Sequence, residues 1–186
     1  PVINGLTDQH HPCQVLSDIM TAMEHKDEDI NALKVAWVGD GNNVAHSWIQ
    51  AASRLGFALA LACPEGYEPN KEILSEAQTE STAPITLTTD PKKAVEGADV
   101  INADVWASMG QEEEASKRQE IFAPYQINDA LLAKAKTDAI ILHCLPAHRG
   151  EEISEEVLEG PNSVVWDQAE NKMHLHKAVL EWAMGL

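Results

Sequence analysis

The chain has 186 residues, 44% of them hydrophobic, and a formal net charge of −17 from 13 basic and 30 acidic side chains. This is enough apolar material for one globular domain with a sizeable core. The acidic balance argues against a nucleic-acid binder, whose partner's phosphates demand a basic footprint. No apolar run approaches the ~20 residues of a membrane span, and no basic-then-apolar leader opens the sequence. The three cysteines, Cys13, Cys63 and Cys144, are odd in number and lack metal-ligand spacing, which fits a reduced, cytoplasmic protein.

Residues 1–30 read as a bridging segment, with a helix from His11 to Met23. Residues 34–39 read as a buried strand, and 44–55 as a helix with Ala, Ile and Leu at helical spacing. A strand at 57–62 stops at Pro64, and a helix at 70–80 starts from Asn70 as cap. Strand 85–88, a short helix 91–96 opened by Pro91, and strand 99–103 follow. Residues 111–120 and 128–136 read as helices, the second capped by Asn128. Strand 139–143, helix 154–158, strand 163–166 and a last helix over 169–184 complete the chain.

Alternating apolar strands and helices predict an α/β fold: a three-layer, Rossmann-like parallel sheet with helices on both faces. The expected organisation is a bridging segment at 1–30, an α/β domain at 31–168 and a C-terminal helix at 169–186. Ligands of such sheets sit outside the C-terminal strand ends. The informative motifs fall there.

Asp104-Val105-Trp106-Ala107-Ser108-Met109-Gly110 ends one strand and His143-Cys144-Leu145-Pro146 ends another. An acid and a hydroxyl four residues apart can both reach one amino group if the chain turns between them. Read structurally, Asp104 would cap a turn and Ser108 would open a helix. Gly39-Asp40-Gly41-Asn42-Asn43-Val44 stands where a dinucleotide fingerprint would. Its third glycine is replaced by Val44, and no acid ends the next strand at Cys63, so a plain tight turn competes with a nucleotide site. Neighbouring strand residues face opposite ways, so His143 is badly placed to activate Cys144 as a nucleophile. Neither His143, Cys144 and His148 nor His174 and His176 show zinc spacing, and no metal is expected.

The pair Asp-x-x-x-Ser-Met-Gly and His-Cys-Leu-Pro resembles the signature of the ornithine carbamoyltransferases. His11-Pro12-Cys13-Gln14, the Gly39–Asn43 turn and Ala169-Glu170-Asn171 resemble further family motifs, in order and spacing. The resemblance covers essentially the whole chain. It implies that Asp104 and Ser108 hold the α-amino group of ornithine, with Asp104 also near the δ-nitrogen. It implies that Asn43 binds the α-carboxylate with help from the Met109 backbone. Cys144 and the Leu145 carbonyl would lie beside the attacking amine, and His11 and Gln14 would contact the carbamoyl group. The family's arginine after Ala-Glu-Asn is Lys172 here, which keeps the charge but loses the planar fork of donors.

Nothing in the chain matches the family's Ser-Thr-Arg-Thr phosphate-binding motif, and the sequence opens on Pro1 within a motif. The resemblance therefore implies an ornithine-binding portion of a longer protein, with the C-terminal helix packing toward a carbamoyl-phosphate domain and little turnover by this chain alone. The implied reaction joins carbamoyl phosphate and L-ornithine to give L-citrulline and phosphate, as in arginine biosynthesis or the urea cycle. It needs no cofactor, and the implied assembly is a trimer-based homo-oligomer. Carbamoyl transfer to putrescine or another amine, a nucleotide-binding module, and a non-catalytic ligand-binding domain are the alternatives.

Overall fold

The computed structural model of the protein describes residues 1–107 and 114–186. Five strands, β1 (Lys34–Val38), β2 (Ala58–Ala62), β3 (Ile85–Thr88), β4 (Val100–Ala103) and β5 (Ile140–His143), form one sheet in the order β3-β2-β1-β4-β5. Every pairing is parallel, with Lys34 opposite Ala58 and Val100 opposite both Val35 and Ile140. The expected α/β class is what forms.

Strand side chains alternate between two faces, and each face has its own core. Val35, Trp37, Leu59 and Leu61 pack against α1 (Pro12–Lys26), α2 (Asn43–Leu55) and α3 (Lys71–Glu80). There Trp48 meets Phe57 edge-on at 5.8 Å. Ala36, Val38, Ala60 and Ala62 face α4 (Pro91–Val95), α6 (Asp129–Leu132) and α7 (Glu155–Leu158). Small alanines on this second face let the short helices sit close to the sheet.

Helix starts follow local chemistry. Pro12 opens α1, where its missing N–H costs nothing. Asn42, Asn70, Asn128 and Ser154 cap α2, α3, α6 and α7 through side-chain oxygens. Gly41 allows the β1–α2 turn to pass the β2–α3 loop: a Cβ there would lie 2.2 Å from the Pro69 nitrogen.

Three sequence readings change. The strand expected at 163–166 reduces to one bridge between Ser163 and Ile141, and the last helix, α8 (Val165–Met184), begins four residues early. The valines at 164 and 165 suggested a strand, yet their burial is achieved at a helix start, one toward each sheet face. The helix expected at 128–136 shortens to α6, followed by turns. The helix expected at 111–120 is α5 (Ala115–Phe122) in its described part, residues 111–113 lying outside the described residues.

Strand order reverses at β1, whose neighbours are β2 and β4. The crevice beyond the C-terminal ends of β1 and β4 is the topological switch point of the sheet, the usual ligand position in this architecture.

Candidate active site

Three strand ends meet at the switch point. Asp104 follows β4, and its carboxylate accepts from three donors. Asn42, at the end of the β1–α2 turn, donates from Nδ2 at 2.7 Å. Cys144, just after β5, donates from Sγ at 2.9 Å, and the Val105 N–H donates at 2.8 Å. Asn42 is held in turn because its Oδ1 accepts from the N–H groups of Val44 and Ala45. The helix-start amides that a pyrophosphate would need are thus partly occupied by the chain itself.

Burial and the negative charge of Asp104 push the Cys144 thiol well above its ordinary pKa. It is a thiol at neutral pH, a hydrogen-bond donor rather than a thiolate nucleophile. His143 is engaged elsewhere. Its Nδ1 accepts from the Leu145 N–H at 2.9 Å, which leaves Nε2 to donate to Glu152 at 3.1 Å. A Cys-His hydrolase pairing is therefore not built. Leu145 has φ 53, a left-handed backbone that non-glycine residues seldom adopt away from functional turns.

His11 and Lys172 lie near the same crevice, while Gln14 is buried and donates to Asp18. Burial lowers the His11 pKa, and the Lys172 charge lowers it further, while Asp104 raises it. The same Lys172 charge acts on Cys144 and Asp18. His11, Asp104, Cys144 and Lys172 thus share one electrostatic neighbourhood. Asn43 stands apart: its Nδ2 donates to the Thr7 carbonyl at 2.8 Å, and the amide beside Asp104 is that of Asn42. Ser108 and Met109 lie outside the described residues.

Beside Cys144 lies a polar cluster that sequence reasoning missed. Asp18 on α1 is fully buried and accepts from Gln14 Nε2 at 2.8 Å, Gln168 Nε2 at 2.6 Å and Asn102 Nδ2 at 3.2 Å. Gln168 also accepts the His143 N–H at 2.9 Å. Its neighbour on α8, Asn171, donates to Thr21 and Glu24 of α1. Gln14, Ser17, Asp18 and Thr21 recur at helical spacing, which was the available signal, but a polar stripe usually faces solvent.

Burial raises the Asp18 pKa from 3.8 to about 6 despite its amide donors. A raised folded-state pKa means the fold binds the proton more tightly than the unfolded chain. That stabilisation is complete below pH 3.8 and is lost as pH rises through about 6. Relative to Asp18→Asn, the wild-type chain should therefore gain roughly 2 kcal/mol of unfolding free energy as pH falls from 7 to 4. Parallel denaturant titrations would check this; a pH-independent difference between the two would refute it.

Arg118 on α5 was also missed. It is buried, and its NH1 donates to Asp40 Oδ2 and to the Trp106 carbonyl, both at 2.7 Å. Its guanidinium lies 4.9 Å from the Tyr67 ring centroid. One side chain thus ties β1–α2, the segment after Asp104, and α5. His148, Glu151 and Glu152 bring one ligand-type atom each within 4.8 Å of one another. Glu152 already accepts from His143 and the His148 N–H, and Glu151 from Gln119. No helix among the described residues is long and apolar enough to cross a membrane.

Comparison with known proteins agrees with this geometry. The curated relative "Ornithine carbamoyltransferase" of Desulfotalea psychrophila is 66% identical over 185 residues, covering 100% of this chain and 61% of its own length. That of Geobacter metallireducens is 59% identical over 97% of this chain and 59% of its own. The chain thus spans about three fifths of the curated relatives it matches. The solved ornithine carbamoyltransferase of Pyrococcus furiosus superposes with a TM-score of 0.91 at 54% identity, over 97% of this chain and 58% of that one. The anabolic enzyme of Campylobacter jejuni gives 0.92 at 38% identity, over 98% and 61%. The family model "Aspartate/ornithine carbamoyltransferase, Asp/Orn binding domain" matches residues 31–183, from the 3-10 turn before β1 through nearly all of α8. With three strand ends converging on Asp104 and that match spanning the sheet that carries them, the chain belongs to the aspartate/ornithine carbamoyltransferase family.

Proposed function

We propose that the chain is the ornithine-binding portion of an enzyme that transfers the carbamoyl group of carbamoyl phosphate to the δ-amine of L-ornithine, giving L-citrulline and phosphate. One observation carries the reading. A carboxylate at the switch point is bracketed by an amide and a thiol that cannot act as a nucleophile, which suits holding an amine for direct transfer.

An alkyl amine with a pKa near ~10.4 is mostly protonated at neutral pH and cannot attack. Asp104 holds the ammonium form and orients the neutral amine once its proton is lost, with Cys144 beside it. The first amine proton passes to solvent; the amine lone pair then bonds to the carbamoyl carbon, the carbon–oxygen bond to phosphate breaks, and the phosphate leaves carrying the second amine proton. Positioning supplies much of the acceleration, since effective molarities can contribute roughly 7–11 kcal/mol. The developing oxyanion takes donors from His11 and charge from Lys172. Asn43 is the ligand of the substrate carboxylate and would exchange the Thr7 carbonyl for it.

The remaining portion of the enzyme binds the phosphate and docks against α8 and α1, where Trp166, Met173 and Leu180 recur every seventh residue. They are 59%, 50% and 50% exposed. Residues 1–30 bridge the two portions, and the enzyme works as a homo-oligomer in the cytoplasm, in arginine biosynthesis. The free thiols of Cys13, Cys63 and Cys144 fit a reducing compartment.

The test compares ornithine and putrescine. Calorimetry with the 186-residue chain should give heat with ornithine and none with putrescine. The full-length enzyme should form citrulline, and this chain alone should form none at a comparable rate. Preference for putrescine would overturn the substrate assignment, because a diamine gives Asn43 no carboxylate to bind.

A further inference from the structure

We propose that Asp18 is a positioning residue, whose buried carboxylate fixes which end of the Gln14 amide is presented to the carbamoyl group and couples that orientation to the Cys144 strand end through Gln168. This rests on the carbamoyl-transfer reading and deepens it.

An ionised carboxylate only accepts hydrogen bonds. Each of the three amides around Asp18 must therefore turn its NH2 inward and its carbonyl outward. For Gln168 the outward oxygen takes the His143 N–H at 2.9 Å, one residue before Cys144. For Gln14, which is 1% exposed, Oε1 has no partner among the described residues. A buried amide oxygen left free is costly unless something donates to it. Gln14 lies in the first turn of α1, three residues after its N-cap His11. The carbamoyl NH2 is a donor of the matching kind. No lysine or arginine makes an ion pair with Asp18 among the described residues, although the charge of Lys172 acts on it. A carboxylate buried among three amide donors is poor as a stability device, since an apolar cluster would serve as well. It is well suited to setting amide orientation.

Asp18→Leu tests the idea because it removes the oxygen that holds the amides of both Gln14 and Gln168. The Gln14 amide can then turn its NH2 outward, donor against donor with the carbamoyl amide. The folded full-length variant should lose about tenfold or more in kcat/KM for carbamoyl phosphate. Asp18→Asn should recover most of that loss. Its Oδ1 can keep both glutamines, and its NH2 meets Asn102, whose own Oδ1 has no partner among the described residues and accepts once that amide flips. Wild-type kcat/KM in folded Asp18→Leu, or an Asp18→Asn variant no better than Asp18→Leu, would overturn the proposal.

Side-chain amide exchange by NMR on the 186-residue chain needs neither turnover nor a folded variant. The Gln14 NH2 should exchange slowly and as a fixed pair in the wild type, and a freely rotating, fast-exchanging amide would refute the proposal. If the full-length wild type forms no citrulline, the functional reading fails, and this amide measurement still decides the role of Asp18.

Discussion

Asp104→Asn in the full-length enzyme is expected to fold normally and to lose at least about tenfold in kcat/KM for ornithine. Asp104 is the only carboxylate between Asp99 and Glu112, so no neighbour in sequence replaces it. Its oxygens accept from Asn42, Cys144 and Val105, which together aim the charge out of the β4 end. An asparagine keeps the size and one acceptor. Its NH2, however, must face either the Asn42 amide or the Cys144 thiol, both donors here. The substrate ammonium then loses both its counter-charge and the ordered cradle. Affinity for carbamoyl phosphate, bound mainly by the rest of the enzyme, should change little. Steady-state kinetics in each substrate would show the split, and calorimetry on the 186-residue chain would show weaker ornithine binding directly. If Asp104→Asn turned over ornithine like the wild type while Cys144→Ser did not, the amine-holding group would be misassigned.

The sheet was legible because parallel strands are buried on both faces. The runs at 34–38, 58–62 and 100–103 contain few residues that could face water. The strand ends were legible because chemically distinctive residues follow those runs at once. Other features were hidden for definable reasons. Val164 and Val165 carry β-branched character that tertiary burial overrode. Asn42 and Asn43 differ by one position, and which of them meets Asp104 depends on where α2 starts. The polar stripe of α1 looks like a solvated face until α8 covers it. Arg118 stands beside an acidic run and reads as a surface charge, since its partner Asp40 is 78 residues away in sequence.

That hidden arginine carries a large expected stability effect. Removing one partner of a buried ion pair costs about 3–5 kcal/mol, because the other charge stays buried without compensation. Arg118→Ala should therefore lower the unfolding free energy by roughly that amount, seen as a lower denaturant midpoint. Three losses coincide: the contact to Asp40, the hydrogen bond to the Trp106 carbonyl, and the stacking over Tyr67 and Phe122. The effect should depend on pH in a definite direction. Burial raises the Asp40 pKa, and the hydrogen bond and charge of Arg118 oppose the rise. Without Arg118 the folded-state value climbs further above the unfolded one. The protonated form then stabilises the fold at low pH, and that contribution disappears as pH rises through the folded value. Arg118→Ala should consequently be more damaging at pH 8 than at pH 5. Adding Asp40→Asn should return part of the loss at pH 8, because no charge is then left unpaired. Equal destabilisation at both pH values, with no recovery in the double variant, would mean that Arg118 acts through packing and not through its pairing with Asp40.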